Sequence, residues 1–155
     1  MTIAWPLRIY YDARCPLCAQ EMTALATNDT LARLQLVDCS APDFGDVLLD
    51  QAGVSAKQAM HFIHARDAKG QWLKGIAVFE AAYAAIGVHA IARLLAHPML
   101  RPVWDWLYPR VANNRMWLSR LGVNRLFGAV VAWIAKRAAT RAMACNTCVA
   151  GRPRA

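Results

Sequence analysis

The run LRIYYDARCPLCAQEM, residues 7 to 22, constrains the chain most: a strand signal breaks directly into a helix signal, with two cysteines at the break. Leu7 to Tyr11 have the apolar and aromatic composition of a short buried strand. From Cys15 or Pro16 the pattern changes, and Ala19, Met22, Leu25 and Ala26 line a helix that ends near Asn28-Asp29. Pro16 fits the first helical turn, where a missing N–H costs nothing. The cysteines therefore fall in the loop after a strand and at the start of a helix, where open α/β sheets keep their sites.

The remaining pattern continues the alternation. Leu34 to Val37 is a second apolar run, and a right-handed crossover through the first helix places it parallel to the first strand. APDFGDVLLDQAGV, residues 41 to 54, predicts a short helix capped by Asp43 with Gly53 beyond its end. Met60 to Ala65 reads as a third strand, DAKG as a turn, and Gln71 to Lys74 as the strand completing a hairpin. After Gly75 a helix presents Ile76, Phe79, Ala82, Tyr83 and Ile86 on one face. From residue 89 the reading is helical: a short segment ended by Pro98, a long one interrupted or kinked at Pro109, and a last one over VNRLFGAVVAWIAKRAATRAM. Trp104, Leu107, Val111, Trp117 and Leu121 read as a core stripe. The expectation is an α/β fold, with residues 1–125 as the main domain including its helical part. Residues 126–155 form a C-terminal helix and a basic, cysteine-containing tail.

At 155 residues the chain can build a core without a disulfide framework or a structural metal. An apolar fraction of 57% and a mean hydropathy of +0.22 are high for so short a domain. Two readings account for this: helices that bury one another, or surface that meets a membrane or a partner. Charge is uneven, with eight Lys/Arg against nine Asp/Glu in residues 1–100 and ten against one, Asp105, in residues 101–155. The basic third is read as a solvated helical face, with peripheral membrane contact as the other reading. Arginine excess alone does not indicate a nucleic-acid partner. The first residues lack the pattern of a secretory leader, and the late apolar run 126–135 is too short to span a bilayer. Five cysteines argue against a fully paired secreted scaffold, so a reducing, cytoplasmic setting is expected.

Two cysteines in C-x-x-C at a helix start suit a dithiol that closes to a disulfide. Cys15, facing unpaired backbone N–H groups, is the expected thiolate nucleophile, and Cys18, one turn in and nearer the interior, the resolving thiol. Asp12 either accepts the Cys18 proton, directly or through water, or caps the turn entering the helix. The second pair, Cys145 and Cys148, has no following helix to tune it. It reads as an auxiliary thiol pair or a tail, with a redox relay or a four-cysteine zinc site shared with Cys15 and Cys18 as alternatives. Cys39 reads as a small buried hydrophobe. His61, His64, His89 and His97 show no ligand spacing, so neither a metal nor a cofactor is expected. The runner-up to an enzyme is a non-catalytic module that binds a partner protein or a membrane surface through its basic helices.

These residues also resemble a known family, the DCC thiol-disulfide oxidoreductases, through Asp12, Cys15 and Cys18 in YYDARCPLC. The hairpin, glycine and helix of KGQWLKGIAVFEAAY and the Asn114-Arg115 pair are similar to the family's pattern as well. The resemblance covers roughly residues 7 to 125. It implies a thioredoxin-like sheet with helices on both faces and a helical C-terminal extension. It also implies a disulfide-containing protein or small thiol as substrate and an unidentified reductant. Two departures stand out. Ala13 replaces the usual glycine, a costly change only if that position needs positive φ. And SAKQAMHFIHA, before the third strand, has no proline of the kind that aligns an incoming chain in thioredoxins; Gln58 or His61 stands in that region.

Overall fold

A computed structural model describes residues 2–121. The elements are β1 (Leu7–Tyr11), α1 (Pro16–Asn28), β2 (Leu34–Asp38), α2 (Val47–Gln51), α3 (Ala56–His61), β3 (His64–Arg66), β4 (Trp72–Lys74), α4 (Ile76–Ala85), α5 (His89–Ala96) and α6 (Arg101–Arg120). One four-stranded sheet runs β2-β1-β3-β4, parallel between β1 and β2 and antiparallel elsewhere.

Alternation along β1 decides which helices cover which face. Leu7 and Ile9 point to one side, where Met22 and Leu25 of α1 and Val78, Ala82 and Tyr83 of α4 join them in the main core. Tyr10 points to the other side, with Leu49 of α2 and Ala59 of α3. Each of these large side chains is at most 3% exposed, and burying one contributes about 1.5–3 kcal/mol. The result is a mixed sheet flanked by helices on both faces, with α6 as a helical extension, a thioredoxin-like α/β arrangement. No helix among the described residues is long and apolar enough to cross a membrane.

Local structure departs from expectation at three places. The short helix after β2 is capped by Asp46, not Asp43: Asp46 accepts from Leu48 N and Leu49 N and also holds Arg8 at 2.7 Å. The stretch read as a strand from Met60 is helix α3 up to His61, because Ser55 and Gln58 form a reciprocal capping box; β3 begins only at His64. The stripe expected as core on α6 divides. The inward line is Trp104, Tyr108, Val111 and Arg115, spaced four, three and four, whereas Trp117 and Leu121 are each 60% exposed. Both lie roughly a third of a turn or more off that line. The helix runs on through Pro109. The last predicted helix and the Cys145/Cys148 pair lie outside the described residues.

Candidate active site

β1 delivers the chain to the site and α1 takes it away. Between them, Asp12 closes a turn by accepting from Arg14 N at 3.0 Å, and Cys15 N reaches Asp12 O at 3.3 Å. The end of β2 holds this loop in place. Asp38 Oδ1 accepts from Ala13 N at 3.1 Å while also taking the backbone and hydroxyl of Ser40 at 2.8 and 2.7 Å. Ala13 needs no positive φ, since Ala32 is the one non-glycine residue there among those described. The alanine is therefore mild.

Cys15 is the N-cap of α1, in extended conformation, and its side chain makes no capping hydrogen bond of ordinary geometry. It stands at the start of the first turn, whose N–H groups have no intrahelical partner, and those of Leu17 and Cys18 are near enough to favour its charge. The Cys18 thiol donates to Cys15, and burial opposes the resulting charge. The Cys18 and Leu17 N–H groups and the Arg115 guanidinium then add to the stabilisation, taking the Cys15 thiol down to about 6. Cys18 moves the other way, pushed far up by its hydrogen bond to Cys15 and by burial. The two are free thiols, not bonded to each other. Exposure reverses one expectation: Cys15 has no exposed surface, while Cys18 is half-buried and opens onto a cavity. Cys39 is buried, and burial pushes its thiol up to about 12.

The other wall of the site comes from α6. Arg115 binds Asp12 Oδ2 at 2.8 Å and donates to the His61 carbonyl at 2.9 Å. Two turns earlier, the Tyr108 hydroxyl accepts from Ile63 N at 3.0 Å. Its ring lies against Gly75, where a Cβ would stand 3.2 Å from Tyr108 Cε1. Asn114 turns away, donating to Arg110 O within its own helix. Gln58 is occupied as the capping-box partner of Ser55, while His61 reaches the site.

Between α1, α3, α4 and α6 lies an apolar cavity of about 300 Å3, walled by Leu17, Cys18, Met22, Phe79, Tyr108 and Ala112. Glu21 also reaches it; Tyr83 donates to this carboxyl at 2.5 Å, and burial raises its pKa. Asp12, Cys15 and Cys18 are thus brought together, joined by Arg115, Tyr108 and Glu21. Of these additions only Arg115 had a signal in the sequence, as half of the Asn-Arg pair. The heptad spacing of Tyr108 and Arg115 was available but says nothing of what the face meets. Among the described residues no cluster of His, Cys, Asp or Glu is arranged to hold a metal.

A family model for DCC1-like thiol-disulfide oxidoreductases matches residues 9–121. An uncharacterized chloroplastic protein of Arabidopsis thaliana is 27% identical over 113 residues, which cover 72% of this chain and 52% of that protein. The chain thus spans about half the length of the curated relative it matches. No solved structure matches it. The expected cytoplasmic setting is overturned by this relative, which is described as chloroplastic. That expectation rested on the first residues and an odd cysteine count, and neither ties a folded dithiol to one compartment.

Proposed function

Because the chain belongs to the DCC1-like thiol-disulfide oxidoreductase family, we propose that it is an enzyme cycling Cys15 and Cys18 between dithiol and disulfide. One observation carries the assignment of roles: Cys15 sits at the α1 N-cap, where the Cys18 thiol, the Cys18 and Leu17 N–H groups and Arg115 favour its thiolate. The Cys15 thiolate attacks one sulfur of a substrate disulfide, forming a mixed disulfide and releasing one substrate thiolate. Cys18 loses its proton and attacks Cys15 Sγ. The second substrate thiolate departs, leaving a Cys15–Cys18 disulfide; the substrate has gained the two electrons that the pair has lost.

Asp12 is proposed as acceptor of the Cys18 proton, directly or through water. Its charge raises the Cys18 thiol, the coupling expected of such a neighbour. Arg115 holds its carboxylate in place. The catalytic unit is proposed to span residues 1–125, with 126–155 as an appended segment. The substrate is in general terms a disulfide or thiol.

Substitution of each cysteine tests the roles. Cys15→Ala should abolish exchange, and Cys18→Ser should accumulate mixed disulfides visible by mass spectrometry as thiol-labile adducts on Cys15. Equal turnover by the two variants refutes the assignment.

A further inference from the structure

We propose that the substrate is a small, uncharged disulfide with apolar substituents, not a disulfide carried on a polypeptide strand; this rests on the oxidoreductase reading above. The first observation is the hydrogen bonding of residues 61–63, the segment beside Cys18 that leads into β3. A polypeptide docking at such a segment would pair with free backbone N–H and C=O groups. Each such group of residues 61–63 already has a partner. The His61 carbonyl takes Arg115 Nη1 at 2.9 Å. Phe62 N donates to Gln58 O at 3.0 Å, and Phe62 O pairs with His64 Nδ1 at 2.7 Å. Ile63 N donates to the Tyr108 hydroxyl at 3.0 Å, and Ile63 O accepts from Gly75 N at 3.0 Å. His61 N lies within α3. Two of the five partners are side chains of α6, so the extension fills the positions a substrate main chain would use.

The second observation is what stays open. The cavity beside Cys18 holds about 300 Å3, roughly twice the ~150 Å3 engineered cavity that takes benzene. Its lining is almost wholly side-chain hydrocarbon and aromatic ring, and of its four acidic or basic groups three offer little to a charged ligand, while the fourth, His61, is exposed to solvent. Asp12 and Arg115 are paired with each other, and Glu21 is hydrogen-bonded by Tyr83. A charged or strongly hydrated substituent would lose its water there without a partner, whereas a phenyl or alkyl group would not. Third, Cys15 has no exposed surface, which keeps it from a disulfide fixed on the outside of a folded protein. A compact molecule that enters the cavity is held beside Cys18, which lines it, with Cys15 one helical turn away and not itself on the lining. The molecule's disulfide is then reduced in the two exchange steps above.

The test uses the full chain with dithiothreitol as the regenerating dithiol and three probes: dibenzyl disulfide, bis(2-hydroxyethyl) disulfide and insulin. Each kcat/KM is divided by the probe's rate with dithiothreitol alone, which removes intrinsic reactivity. Dibenzyl disulfide is expected to exceed bis(2-hydroxyethyl) disulfide by about tenfold or more, the discrimination an apolar pocket provides. Insulin is expected to stay near background. Ala112→Leu, which narrows the cavity, should lower the dibenzyl-to-hydroxyethyl ratio severalfold, and Ala112→Val gives the same reading should the larger residue not fold. Insulin turned over as well as dibenzyl disulfide, or equal normalised rates for the two small probes, overturns the proposal and leaves the oxidoreductase reading standing. No turnover of any probe overturns both.

Discussion

Replacing Arg115 by Gln removes the one α6 charge that reaches the dithiol and leaves the Asp12 carboxylate without its partner. Both changes act on Cys15 in one direction: a stabilising positive charge is lost and a nearby negative one is unmasked. A nearby opposite charge shifts a pKa by about 1–3 units; because the Cys18 hydrogen bond is the larger cause of the low Cys15 pKa, the low end, about one unit, is expected. Cys15 then moves from about 6 toward about 7. At pH 6 the thiolate fraction falls from about half to about a tenth, so iodoacetamide alkylation of Cys15 slows roughly fivefold. Mapping the labelled peptide by mass spectrometry separates Cys15 from the other thiols. The same pair affects stability. Its side chains are 16% and 12% exposed, which lowers the ~3–5 kcal/mol cost of breaking a buried pair to about 2 kcal/mol, or a Tm lower by roughly 4–8 °C. The thiol's folded pKa lies below its free value of ~8.5, so its contribution to the reduced protein is complete above that value and is lost as pH falls through about 6. In the variant that loss occurs at higher pH. Arg115→Lys keeps the charge and loses the fork, so it should retain the low alkylation midpoint. A Gln variant that melts lower yet alkylates Cys15 with an unmoved midpoint would reduce Arg115 to a clamp and refute the electrostatic reasoning.

Two further outcomes follow from neighbouring side chains. Glu21 has a raised pKa, so its folded state is most favoured below the free carboxyl value and loses stability as pH rises through the raised one; Glu21→Gln, which can still accept from Tyr83, should flatten the decline of Tm with rising pH. Gly75→Ala combines φ +65 with a Cβ 3.2 Å from the Tyr108 ring, and a loss of about 1–3 kcal/mol in urea denaturation is expected; an unchanged midpoint would show that the ring yields freely.

The strand–cysteine–helix unit was readable because each signal is local: a β-rich run, then Pro16, then helical spacing up to Asn28. The capping box of α3 was equally local and still went unread, since the apolar run from Met60 has strand composition and the Ser55–Gln58 signature precedes it. Asp46 could not be chosen over Asp43 from sequence, because what selects it is Arg8 and Tyr10, brought to it from β1. For the same reason the site was half visible. Asp12, Cys15 and Cys18 lie within seven residues, while Arg115 and Tyr108 reach them only through the packing of α6. Periodicity marked α6 as amphipathic without saying that its inward line is built for a dithiol.

The Arg115–Asp12 contact joins residues 103 positions apart. On a ribosome adding ~5–20 residues per second, Arg115 is made about 5 to 20 s after Asp12. During that interval the emerging chain carries both cysteines without the last cation that favours their ionisation. The charge setting of the pair is thereby completed only when α6 packs, well after the cysteines themselves are made.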